Sequence, residues 1–197
     1  FNNLESARRP DVITTILKLF DDLSTAQARD VLRVWQRDTA LVRAHEAYRR
    51  HGGAYGLVLA GRPTGAMHLP DWVVTTGFVD HATRSRLLDA AEVVVLPSPH
   101  ESLSLVALEA WRAARPTLAN GRSDVLAGQS ARSGGGLLYL DAIDYRRQLA
   151  RLSSDAELRA MLGRRGAAWV GDGQGWDACV RRWRGLLARV RRPLRPA

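Results

Sequence analysis

A chain of 197 residues, 46% of them hydrophobic and 25% charged, can bury a full core and is too apolar for global disorder. Its single cysteine, Cys179, excludes an internal disulfide framework and a cysteine-based zinc site, and suits a reducing, cytoplasmic compartment. The net charge of +9 favours phosphorylated ligands, nucleic acid or an anionic membrane face without choosing among them.

The first stretch, Asp11 to about Arg37, reads as helical. Val12, Ile16, Leu19 and Phe20 fall at helical spacing, and Ser24 can cap a second helix through Val31 and Val34. A short strand over Val31–Trp35 is the alternative. Residues 1–38 are therefore set apart as a helical segment or linker, 39–192 as the folded domain, and 193–197 as a mobile tail. The chain opens at Phe1 and reads as a piece of something longer; no signal-peptide pattern and no run of about 20 apolar residues occurs in it.

From Thr39 the pattern is regular. Thr39 to Arg50 places Leu41, Ala44, Ala47 and Tyr48 on one helical face and ends at Gly52-Gly53. Leu57–Ala60 and Trp72–Thr75 are short apolar runs, each closed by glycine. Asp80 to Ala91 predicts a helix, Glu92–Leu96 a buried strand stopped by Pro97 and Pro99, and Ser102 to Ala114 a helix. Strand Thr117–Ala119, a short helix near Val125 and strand Leu137–Leu140 follow. Helices over Asp144–Leu152, Asp155–Trp169 and Trp176–Val190 complete the series. Apolar strands alternating with helices predict an α/β fold, a Rossmann-like parallel sheet with helices on both faces. Ligands of such sheets bind beyond the carboxyl ends of the strands.

The most informative segment follows the central strand. Glu101 stands at a strand-to-helix junction and Glu109 eight residues later, a separation on the order of 12 Å if all eight are helical. That is too far for one bond-cleaving pair, since such carboxylates sit roughly 5 to 9.5 Å apart. It suits two grips on one long ligand. Between them the free amides of Ser102, Leu103 and Ser104 would make a helix-start anion site. The order carboxylate, phosphate cradle, carboxylate fits a nucleotide-sugar. An ordinary helix with two solvated glutamates is the plain alternative.

Pro97-Ser98-Pro99-His100-Glu101 through Glu109-Ala110 resembles the E-x(7)-E signature of family-4 glycosyltransferases, retaining enzymes of the GT-B architecture. The resemblance extends through Arg115-Pro116-Thr117, Asn120-Gly121-Arg122 and Gly134-Gly135-Gly136, and covers roughly Thr39 to Val190. It implies the carboxy-terminal, donor-binding half of a GT-B enzyme, a glycosyltransferase of the hexosyl class, incomplete without an acceptor-binding domain in cis or in trans. By that resemblance Glu101 contacts donor-sugar hydroxyls as the catalytic residue, and Glu109 the ribose hydroxyls. The Ser102, Leu103 and Ser104 amides hold the diphosphate, Phe78 and Val79 border the base, and His100 and Arg122 add contacts. No cofactor or metal is implied beyond the nucleotide-diphosphate sugar.

The family's Gly-Arg-to-Lys segment after its first strand is not recognisable here. Lys18 is the chain's one lysine and stands in another context, which leaves Arg33 and Arg37 as candidate diphosphate cations. That gap motivates the alternative of a catalytically impaired scaffold or regulator. His45, His51, His68 and His81 show no metal-ligand spacing and read as surface. The last helix, with Trp176, Cys179, Val180, Trp183, Leu187 and Val190 opposite arginines, is expected to pack on the sheet domain, with peripheral contact to an anionic membrane as the other reading. Nucleic acid is ranked last, since no recognised binding module occurs.

Overall fold

In the computed structural model, which describes residues 12–17, 40–61, 69–70, 72–173 and 176–190, six short runs form one parallel sheet. Its strands are β1 (Val12–Leu17), β2 (Gly56–Ala60), β3 (Val73–Gly77), β4 (Val93–Leu96), β5 (Thr117–Asn120) and β6 (Gly136–Tyr139). They lie in the order β3-β2-β1-β4-β5-β6. The helices are α1 (residues 40–50), α2 (His81–Ala90), α3 (Leu105–Arg112), α4 (Asp124–Ser133), α5 (Ala142–Ser154), α6 (Ala156–Gly173) and α7 (Trp176–Val190).

Strand β4 shows why helices cover both faces. All four of its residues are buried, and successive side chains point to opposite sides. Val93 and Val95 join a cluster with Leu41 and Tyr48 of α1, Tyr145 and Leu149 of α5, and Leu162 of α6. Val94 and Leu96 join another with Leu88 of α2, Ala107, Ala110 and Trp111 of α3, and Leu126 of α4. The expected Rossmann-like α/β fold is the observed one.

The helical reading of the first stretch is corrected over Val12–Leu17, which is a strand paired between β2 and β4. Five of its six residues are β-branched, a composition that suits a pleated sheet and costs side-chain freedom in a helix. The sheet so takes in residues ahead of position 39. Lys18, Arg33 and Arg37, the alternative strand at Val31–Trp35 and the tail at 193–197 lie outside the described residues.

Helix α3 is shorter than expected at both ends. Ser102 and Ser104 favour non-helical backbone, and the first helical residue is Leu105. At the other end Ala114 turns left-handed (φ 53°). Its N–H donates to the Trp111 carbonyl and that of Arg115 to the Ala110 carbonyl, the paired bonds that close a helix before Pro116. The triple glycine before β6 is likewise explained by packing. Gly134 (φ 60°) ends α4, and a Cβ on Gly135 would strike the Trp111 indole.

Helix α7 departs from expectation. Residues 180–189 are exposed throughout, so its apolar face does not pack on the sheet domain there. Trp183 is 64% exposed, with Val180, Leu186 and Leu187 open beside it. No helix among the described residues is long and apolar enough to cross a membrane.

Candidate functional site

The strand order reverses between β1 and β4, which run side by side with Thr15 opposite Val94. Ligands of open parallel sheets bind at such a reversal, beyond the carboxyl ends of the strands. The loop leaving β4 at that place is Pro97–Ser104, the segment that carries Glu101. Local chemistry shapes it. The Ser98 hydroxyl donates to the His100 carbonyl (2.7 Å) and accepts from the His100 N–H (3.3 Å), closing a tight turn. Asn120, at the end of β5, holds the loop from the side. Its Nδ2 donates to the Pro97 carbonyl (2.9 Å), while its Oδ1 accepts from the Arg122 N–H (3.0 Å). Asn120 is a site-shaping residue that the sequence signals only as part of an Asn-Gly turn.

The loop delivers the chain into the amino end of α3. Ser104 is the N-cap residue, yet its side chain makes no capping bond. The neighbouring helices contrast with it: Asp80 caps α2 through the Thr83 N–H, Ser123 caps α4 through that of Leu126, and Asp141 caps α5 through that of Asp144. In the first turn of α3 the Leu105 N–H donates to the Leu103 carbonyl (3.0 Å), which leaves those of Val106 and Ala107 at the positive end of the dipole with no side chain bonded to them. Because α3 begins at Leu105, the expected helix-start amides at Ser102, Leu103 and Ser104 belong to the approach loop. The opening helical turn is Leu105, Val106 and Ala107. The eight-residue rise on the order of 12 Å also no longer holds, since only Leu105 to Glu109 is helical.

Glu101 is half-buried, and burial raises its carboxyl pKa above the ordinary 4.5, opposed by the adjacent Ser98 hydroxyl. A carboxylate with a raised pKa weakens the fold when ionised. Its contribution to stability is present below 4.5 and is lost as pH rises through the higher folded-state value. Glu101→Gln is therefore expected to raise the unfolding temperature at pH 7 to 8, with the gain vanishing below pH 4.5. Thermal unfolding of both proteins across that range checks it; equal melting at pH 7.5 would refute the desolvation argument.

Glu109, in the second turn of α3, is not a solvated bystander. Arg84 of α2 donates through Nη2 to its Oε2, and the two side chains are 18% and 32% exposed respectively. Both line a surface cleft of about 280 Å³ between α2 and α3. Arg84 is a residue that sequence reading misses, because 25 positions separate it from its partner and no local pattern links them.

The other candidates are distributed around the same edge of the sheet. Phe78 (63% exposed) and Val79 follow β3, and Leu103 and Leu105 are open beside the α3 terminus. His100 and Ser102 are exposed, while Ser104 is buried. Arg122 is exposed and its Nε donates to the Leu140 carbonyl (3.0 Å), rather than pairing with Asp124. Among the described residues no three His, Cys, Asp or Glu side chains gather closely enough to hold a metal ion. His45 corrects the surface reading of the histidines. It is fully buried, with Nε2 donating to the Tyr55 carbonyl (3.0 Å) and Nδ1 accepting from the Tyr145 hydroxyl (3.0 Å).

Residues 33–155, more than half of the chain, match the family described as glycosyl transferases group 1. The chain belongs to that family. No curated protein matches it by sequence. Three solved structures show what this group 1 chain is similar to in fold. A sucrose-phosphate synthase from Thermosynechococcus elongatus aligns over 95% of the chain and 48% of its own length, at 21% identity and TM-score 0.69. The carboxy-terminal domain of a glycosyl transferase group 1 family protein from Francisella tularensis aligns over 81% and 82%, at 17% identity and TM-score 0.60. HepE from Anabaena, in complex with UDP and glucose, aligns over 95% and 51%, at 15% identity and TM-score 0.68. The group 1 chain thus spans about half the length of the synthase and of HepE. Its Rossmann-like sheet is one half of a GT-B architecture.

Proposed function

We propose that this group 1 chain is the donor-binding half of a retaining glycosyltransferase of the family-4 type, moving a hexosyl group from a nucleotide-diphosphate sugar to an acceptor hydroxyl. The observation that carries the reading is the uncapped α3 terminus at the strand-order reversal, with Glu101 before it and Glu109 behind it. Glu101 accepts hydrogen bonds from sugar hydroxyls, and Glu109 from the ribose. The first-turn amides of α3, with those of the approach loop, hold the diphosphate between them. Phe78 and Val79 border the base; His100 and Arg122 stand at the rim.

Chemistry on this reading is departure of the nucleoside diphosphate, with acceptor attack on the same face of the sugar. The helix pole is aimed at the oxygens on which negative charge grows, so it stabilises the transition state more than the ground state. Arg33 and Arg37 are proposed as additional cations for that charge. An acceptor-binding half is needed beside this one. The open apolar side chains at the strand ends, Phe78, Leu103 and Leu105, and the uncovered face of α7 supply surface for it. The group 1 chain's coverage of about half of the synthase and HepE agrees with that.

Titration with UDP, ADP and GDP tests the donor site. At least one should bind, and Glu109→Ala should weaken it about tenfold, the scale of a hydrogen bond to a charged group. Absence of binding to all three would leave a fold retained for scaffolding or regulation.

A further inference from the structure

Arg84 is the one side chain seen on either glutamate of the site through an ion pair among the described residues, and its setting is specific. It lies in the first turn of α2, whose start is fixed by Asp80: the Thr83 N–H donates to the Asp80 carboxylate (2.7 Å) and the Arg84 N–H to the Asp80 carbonyl (2.9 Å). Asp80 directly follows Phe78 and Val79, the loop assigned above to the base. The guanidinium crosses from there to α3 and takes Oε2 of Glu109. Oε1 has no hydrogen bond among the described residues. One oxygen of the carboxylate is anchored and the other is left as an acceptor, on a side chain that lines the cleft.

We infer that Arg84 is a positioning residue for ribose recognition: by tethering Glu109 through Oε2 it fixes the carboxylate rotamer in which Oε1 meets a ribose hydroxyl. The inference rests on the donor-site reading above and deepens it, since it selects ribonucleoside over 2′-deoxyribonucleoside diphosphates. A free glutamate has three side-chain torsions to restrict on binding; one already held by a guanidinium gives up less on meeting the ligand. Because the tether starts from the helix that follows the base-bordering loop, it also couples base and ribose recognition.

The experiment compares UDP, ADP and GDP with their 2′-deoxy counterparts by calorimetry on the 197-residue chain. The wild type should bind at least one ribonucleotide about tenfold more tightly than its deoxy form. Arg84→Gln should remove most of that ratio while leaving the affinity for the deoxy form unchanged. Glu109→Gln should also remove most of the ratio, and the double variant's ratio should be no lower than that of Glu109→Gln alone. Arg84→Lys, which keeps the charge and loses the fork, should give an intermediate ratio and serves if Arg84→Gln does not fold.

A wild-type ratio that survives Arg84→Gln, or equal weakening of both forms by it, overturns the inference and spares the donor site. A wild-type ratio near one also overturns it. Failure of the wild type to bind any of the three diphosphates removes the donor-site reading itself, and this inference with it.

Discussion

Trp111→Ala is expected to destabilise the domain by about 3 to 5 kcal/mol, the largest effect of any single truncation in the core. Trp111 is fully buried and is the largest such side chain. Its Nε1 donates to the Gly135 carbonyl (2.9 Å), and its ring meets Trp169 edge-on with centroids 5.6 Å apart. Truncation opens a cavity and also strands a carbonyl in it. The surroundings cannot collapse to fill the space, because Gly135 and Gly166 already abut the indole with no side chain to extend. Both glycines are shaped to this one residue. Urea unfolding measures the loss, and Trp111→Phe should recover part of it without restoring the Gly135 bond. A cost under 1 kcal/mol would mean that α3 is braced by something else. Since α3 carries Glu109 and the anion pole, nucleotide affinity should fall with stability in the alanine variant.

Acidification should produce the next largest effect, through His45. Burial lowers its pKa from 6.5 to about 4, and the nearby Arg49 charge acts in the same direction against the Tyr55 carbonyl bond. The folded state therefore keeps the ring neutral where the unfolded chain protonates it. Stability from this group is complete above 6.5 and is lost progressively as pH falls towards 4, by about 3 kcal/mol in all. A second proton is disfavoured in place, since Nε2 already donates to a carbonyl and Nδ1 serves as the acceptor for the buried Tyr145 hydroxyl. His45→Asn removes the titration. It should be less stable at pH 7.5 but should lose much less between pH 6.5 and 4.5. Parallel pH profiles for the two proteins would contradict the assignment.

Most of the sheet is legible from local pattern. β4 announces itself by a continuous apolar run between a helix and two prolines, and β2, β3, β5 and β6 by short runs beside turn residues. β1 is not, because Val12 and Ile16 also satisfy a helical interval; the better guide is the unbroken β-branched composition of Val12 to Ile16. The motif around Glu101 and Glu109 is visible as spacing, whereas the true start of α3 depends on how two serines settle in the loop. Arg84 and the burial of His45 are beyond sequence reading for a different reason. Their partners, Glu109 and Tyr145, are 25 and 100 positions away, and only the packed helices bring them together.

The bare amino end of α3 sets stability against occupancy. A chain selected for thermal endurance alone would finish that turn with its own carboxylate or hydroxyl, as three neighbouring helices do. Leaving it open forgoes roughly 1 kcal/mol of self-capping, and an arriving anion then completes the helix from outside. The guest so becomes part of the host's secondary structure, and heat resistance should climb with its concentration.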